Sequence, residues 1–215
     1  MGARNEAELR AALVEAGRSF EARGLAIGTA GNLSVRLDDG YLVTPTNAAL
    51  GRLDAARIAK LDPAFRPIGG DAPTKEVSMH RAFYETRPGT EAVVHLHSTH
   101  AAALSFRNDL PEIDPIPVFS PYFVMRVGHL PVLPYFRPGS AEIGTAIRGL
   151  DGRFRSVLLA NHGPVNAGAS LQDAISSAEE LEETAKIFLM LGKDKLRLLT
   201  AAEIADLVAT FALDW

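Results

Sequence analysis

Three histidines carry the strongest chemical signal in this chain. Ala92-Val93-Val94-His95-Leu96-His97 is an apolar run that ends in His-x-His, and a second apolar run, Val157-Leu158-Leu159-Ala160, leads into Asn161-His162-Gly163. Short apolar runs of this kind read as buried strands. In a strand, residues i and i+2 face the same side, so His95 and His97 can point at one spot. His162 supplies a third imidazole. Three neutral imidazoles and one open position make a catalytic Zn²⁺ site. Two histidines at a sheet rim are by themselves ordinary polar residues, and the third turns the pattern into a metal hypothesis. The chain has no Cys, which excludes a thiolate site.

The elements around these residues follow from periodicity. Asn5 to about Arg23 reads as a helix, with Asn5 as N-cap, Glu8 as capping-box partner and Gly24 as stop. Gly28-Thr29-Ala30-Gly31-Asn32-Leu33-Ser34 is a glycine-rich loop whose backbone N–H groups can approach an anion. It runs into the alternating strand Leu33, Val35, Leu37. Asp38-Asp39-Gly40 is a hairpin turn. Tyr41-Leu42-Val43 returns as a strand and ends in Thr44-Pro45-Thr46-Asn47, a second loop of small polar donors. Either loop alone reads as a plain turn. Ile58 to Asp62 is a third strand, and Asp62 to Asp71 is turn-rich.

From Thr74 to Thr86 the pattern is helical. Thr74 and Lys75 then sit at a helix N-terminus, which favours an anion. Glu76 has an ordinary explanation there, because acids in the first turn suit the macrodipole. Ser98 to Phe106 reads as a helix holding His100, which is assigned to packing. Pro111 to Pro121 is a loop, followed by short apolar pieces at Val124 to Val127 and His129 to Val132, with His129 in a structural role. Gly139 to Leu150 and Ser170 to Leu191 are helices. The acidic run Glu179 to Glu183 in the latter reads as a solvated face. Thr200 opens a last helix with a capping box, and the chain ends in the apolar Phe211, Leu213 and Trp215.

Composition narrows the class. A length of 215 residues suits one large domain spanning the chain. Hydrophobic content of 47% with 22% charged residues is that of a globular protein. A net charge of -4 argues against bulk nucleic-acid binding, so an anionic substrate needs cations placed locally. No apolar stretch reaches the ~20 residues of a membrane span, and the charged start, Met1 to Glu6, is not a secretory signal. The absence of Cys is compatible with the cytoplasm. Hairpin-linked strands followed by alternating strands and helices predict an α/β domain with a mostly antiparallel central sheet flanked by helices. There is no G-x-G-x-x-G dinucleotide fingerprint.

Taken together and in order, the two loops, Glu76 with His80, and the three histidines resemble the class II aldolase/adducin family over nearly the whole chain. The resemblance implies that family's three-layer fold, one Zn²⁺ per subunit on His95, His97 and His162, and Glu76 as catalytic acid/base. It implies phosphate contacts at Asn32, Thr46, Asn47 and Thr74. A homotetramer with sites at subunit interfaces is implied too, with the tail from Phe211 to Trp215 able to reach a neighbour's site. One branch is more similar, on Thr74-Lys75-Glu76-Val77, His95-Leu96-His97-Ser98-Thr99, Ala160-Asn161-His162-Gly163-Pro164-Val165 and Glu179 to Lys186 among others. These motifs resemble the branch that decarboxylates 3-oxo-tetronate 4-phosphates. That implies loss of CO₂ to an enediolate of dihydroxyacetone phosphate, protonated by Glu76.

In the family's sugar-phosphate aldolases two serines precede the Glu, where this chain has Thr74 and Lys75, and a Gly stands in place of Asn47. Lys75, Arg126 or Arg137 is then expected to orient the leaving carboxylate, with Lys75 favoured, and Tyr122 matches a family tyrosine near the site. The alternative is the family's retro-aldol or epimerase chemistry on a sugar phosphate. A non-catalytic adducin-like module lacks the metal histidines and fits this chain poorly.

Overall fold

The computed structural model describes residues 5–215; the charged lead-in at residues 1–4 lies outside them. One eight-stranded sheet forms the middle layer, in the order β4-β3-β2-β1-β5-β8-β7-β6. Its strands are β1 (Asn32–Arg36), β2 (Tyr41–Val43), β3 (Ala59–Leu61), β4 (Pro67–Gly69), β5 (Ala92–His95), β6 (Val132–Leu133), β7 (Ser156–Leu159) and β8 (Gly163–Gly168). Every pairing is antiparallel except β6 with β7. The helices are α1 (Glu6–Ala22), α2 (Val77–Thr86), α3 (Thr99–Ser105), α4 (Pro121–Arg126), α5 (Ala141–Arg148), α6 (Leu171–Leu191) and α7 (Ala201–Phe211).

The two-residue period of the strands sorts their side chains onto two covered faces. Leu33, Val35, Leu42, Ala92 and Val94 pack with Leu13 and Phe20 of α1 and with Ala174 and Ala178 of α6. Val43, Val93, Val157, Leu159 and Val165 pack on the other side with Met79 and Phe83 of α2 and with Ile143 and Ile147 of α5. A third cluster joins Leu104 of α3 and Phe123 of α4 to Leu181 and Phe188 of α6. Burying each of these large side chains contributes about 1.5–3 kcal/mol. His95 shares the parity of Val93, so it faces the α2 side.

Several elements depart from the sequence reading. α2 begins at Val77, so Thr74 and Lys75 precede the helix and Glu76 stands at its N-cap position without capping it. β8, Gly163–Gly168, is rich in turn formers yet lies wholly buried between β5 and β7. The exposed edge strand β4 falls inside the stretch read as turns. α4 is a helix where short apolar pieces were expected; Pro121 starts it, in the position where proline suits a helix, under a Ser120 cap. The expected box at the first helix forms only in part: Asn5 accepts from the Ala7 and Glu8 N–H groups, but Glu8 bonds the Asn5 side chain. The box at Thr200 is complete. No described helix is long and apolar enough to cross a membrane.

Candidate active site

The site forms where β5 ends. His95 is the last residue of β5, and its Nδ1 lies 2.8 Å from the Pro164 carbonyl of the neighbouring β8. That carbonyl can only accept, so Nδ1 carries the proton and the Nε2 lone pair is free. His97 follows the strand end, and its Nε2 stands 2.9 Å from that of His95. His162 lies in the β7–β8 turn. Its single backbone N–H is shared between the Leu159 carbonyl and the Ser105 hydroxyl, while the Asn161 N–H reaches the Ser105 carbonyl at the end of α3. The three rings meet edge to face, with centroids 4.8 Å apart in every pair. Their ligand nitrogens all lie within 4.8 Å of one another.

Two glycines allow this close approach. A Cβ on Gly31 would stand 2.8 Å from the His95 carbonyl, and one on Gly163 would stand 2.8 Å from the Leu96 carbonyl. Both residues also have φ between +85° and +150°, a region that side chains avoid. The glycine-rich loop and the β7–β8 turn thus close on the His-x-His segment from two sides.

Burial keeps the triad unprotonated. Desolvation, together with the neighbouring imidazoles, holds His95 well below the usual histidine value and takes His97 to about 4. Burial also lowers His162, against the raising influence of the Glu76 carboxylate. Neutral imidazoles are the form a metal binds.

Glu76 reaches the triad from the start of α2. Its Oε1 lies 3.4 Å from His162 Nε2 and its Oε2 lies 3.5 Å from His95 Nε2. Oε1 is buried and has no hydrogen-bond partner. A buried carboxylate with an orphaned oxygen beside three converging imidazoles suits a divalent cation: the imidazoles would hold it, and its charge would favour the unpaired carboxylate next to it.

Oε2 instead accepts from Asn32 Nδ2 at 2.9 Å. Behind this contact runs a buried chain of polar groups. Asn32 Oδ1 is 2.5 Å from His80 Nε2, His80 Nδ1 is 2.7 Å from Ser34 Oγ, and Ser34 Oγ is 2.8 Å from the Tyr84 hydroxyl. The side-chain amide of Asn32 is therefore engaged on both sides.

The other anticipated residues fall into two places. A backbone bridge holds the second loop against the approach to α2: Thr46 N–H bonds the Ala72 carbonyl, and Thr74 N–H bonds the Thr44 carbonyl. Thr46, Asn47 and Thr74 thereby come together. Thr29, Thr46, Asn47, Arg52 and Arg57 line a cavity of about 280 Å³ beside that loop. Lys75 is exposed, and the 135–139 loop holding Arg137 returns to it at Gly139, whose Cβ position is 3.3 Å from Lys75 Cβ. Tyr122 and Arg126 lie elsewhere. They are exposed on α4 and face a depression shared with Glu179 and Glu183 of α6.

The acidic run is not wholly solvated. Glu182 is buried and accepts from the His100 and Ala101 N–H groups at the start of α3, with His100 Nδ1 2.7 Å away. It anchors the helix that follows His97. Its spacing with Ala178, Leu181 and Ala185, all inward-facing, is the signal that distinguishes it from its exposed neighbours. A similar signal marked the polar chain: Glu76, His80 and Tyr84 recur every four residues, opposite Asn32 and Ser34 on one face of β1.

The chain is similar to known proteins over most of its length. Residues 11–189 match the family model for the class II aldolase and adducin N-terminal domain. A relative from Pectobacterium atrosepticum, a 3-oxo-tetronate 4-phosphate decarboxylase, is 50% identical over 204 residues, 94% of each chain. The crystal structure of YgbL from Klebsiella pneumoniae superposes with a TM-score of 0.91 at 47% identity, covering 95% of this chain and 99% of that one. An L-fuculose phosphate aldolase from Haemophilus influenzae is 34% identical over 189 residues, 87% of this chain and 85% of its own. This chain belongs to the class II aldolase/adducin family.

Proposed function

We propose that the protein decarboxylates a 3-oxo-tetronate 4-phosphate to dihydroxyacetone phosphate and CO₂, with one zinc ion per subunit on His95, His97 and His162. The observation that carries this reading is the gradient of similarity. A decarboxylase shares half of the residues over nearly the full length, whereas a fuculose phosphate aldolase shares about a third. The neutral triad and the partnerless Glu76 oxygen support the metal. A divalent ion bound there supplies Lewis-acid polarisation of a carbonyl oxygen.

The chain's own residues do the rest. Thr46, Asn47 and Thr74 hold the phosphate, with Asn32 contributing main chain because its amide is engaged. Lys75 orients the C1 carboxylate, and Arg137 lies on the loop beside it. The C1–C2 bond breaks as CO₂ leaves, and its electron pair stays on C2 as the enediolate. Glu76 then delivers a proton to C2, giving dihydroxyacetone phosphate. Burial around the triad excludes competing water.

The subunits assemble as a cytoplasmic homotetramer. Tyr122 and Arg126, exposed and away from their own triad, serve a neighbouring copy's site. Zinc-loaded protein incubated with the 3-oxo-tetronate 4-phosphate should release CO₂ and dihydroxyacetone phosphate in equal amounts, and a chelator should stop both. Release of an aldehyde and dihydroxyacetone phosphate from a sugar phosphate, with no CO₂ from the oxo-acid, would assign the chain to the aldolases instead.

A further inference from the structure

We propose that His80 is a positioning residue: as the Nε2–H tautomer it locks the Asn32 amide so that Glu76 Oε2 is pinned and Oε1 alone handles the proton. The proposal rests on the role given to Glu76 above and deepens it.

The proton arrangement follows by elimination. Asn32 presents its Nδ2 to Glu76 Oε2, at 2.9 Å, and that oxygen accepts. Asn32 Oδ1 then faces His80 Nε2 at 2.5 Å, and since that oxygen only accepts, Nε2 must carry the proton. In a neutral ring His80 Nδ1 is then bare and accepts from Ser34 Oγ–H at 2.7 Å. With its proton spent, Ser34 Oγ accepts from the Tyr84 hydroxyl at 2.8 Å. One direction satisfies each of these contacts, from the Tyr84 phenol to the Glu76 carboxylate. Burial supports the chosen states, lowering His80 to about 3 and holding the Tyr84 phenol protonated.

The consequence lies at the far end. Glu76 stands at an N-cap position but makes no cap, so α2 does not fix its rotamer. Asn32 donates to its Oε2, and Asn32 is itself aimed by His80. The two carboxylate oxygens thereby become inequivalent: one is held, while the other is buried, partnerless and turned to the triad. Misplacing such a group by about 1 Å can cost on the order of 10²-fold in rate.

The test compares full-length, zinc-loaded His80→Leu and His80→Gln. Leu removes the donor, whereas Gln places an N–H₂ near the former Nε2. For His80→Leu, kcat for CO₂ release should fall about 10- to 100-fold, with KM and metal per subunit nearly unchanged. His80→Gln should recover most of the loss. Equal losses in Leu and Gln, a KM rise matching the kcat loss, or unchanged kcat in His80→Leu would overturn the assignment. A measurement on the wild type keeps the idea testable if His80→Leu does not fold. ¹⁵N NMR of the ring nitrogens, with His80 assigned from the His80→Gln spectrum, should show Nε2 protonated and Nδ1 bare. The Nδ1–H tautomer would sink the relay. A wild-type protein that releases no CO₂ refutes the reaction proposed above, and the tautomer then decides the relay separately.

Discussion

The six histidines of this chain fall into two groups that differ in what holds them. His80, His95, His97 and His162 form an inner group whose protonation is suppressed by burial. His100 and His129 form an outer group, about a third exposed, each with Nδ1 2.7 Å from a carboxylate, Glu182 or Asp114. A neutral carbonyl, such as Pro164 behind His95, fixes the tautomer and leaves the other nitrogen ready to bind. For His95 the partner behind the ring readies the other nitrogen as a ligand, whereas His100 and His129 spend Nδ1 on a carboxylate.

The largest expected effect breaks the inner group. His162→Ala should abolish bound metal and CO₂ release, whereas His129→Ala should change neither. Elemental analysis of the two purified variants checks this, and a His162→Ala protein with a full complement of metal would erase the distinction. Glu76→Gln comes next: metal content should hold while the rate falls by about 10²–10⁴, measured as CO₂ evolved. Full turnover would remove Glu76 from the chemistry.

Smaller effects sharpen the outer group. Burial alone would raise the Glu182 carboxyl, but the Ala101 and His100 N–H groups and the His100 ring outweigh it and hold it below its ordinary 4.5. Glu182→Gln should cost about 1–3 kcal/mol of stability, read from urea unfolding at neutral pH. That contribution is present above pH 4.5 and lost as pH falls through the depressed folded value.

His80 adds a slope of the same sign at higher pH. Between 6.5 and about 3 the unfolded chain takes up a proton that the folded one refuses, so stability falls on acidification through that window. His80→Gln should flatten the slope, tested by unfolding at two pH values in metal-free protein. The smallest effect is at the tail. Trp215 packs tilted against His129 of its own chain, ring centroids 4.2 Å apart, so His129→Ala should cost no more than about 1.5 kcal/mol, seen as a small shift in thermal midpoint.

Much of this was legible in the residues because the governing interactions are short-range. The Thr200 capping box, the Asp38 to Gly40 hairpin and the strand leading to His95 depend on neighbours a few positions apart. The His-x-His spacing and the third histidine were readable for the same reason. Tertiary structure decided the rest. β8 holds Gly, Pro and Asn, residues that local rules place in turns, yet it is a central strand because β5 and β7 supply its partners. Glu182 looks like one of a solvated run, yet it is buried because α3 brings two N–H donors to it. Glu76 looks like a helix-start acid, yet the helix begins after it. The register that sets Asn32 opposite His95 lets Asn32 and Glu76 meet beside the triad. Such pairings depend on how distant segments align, which no local periodicity records.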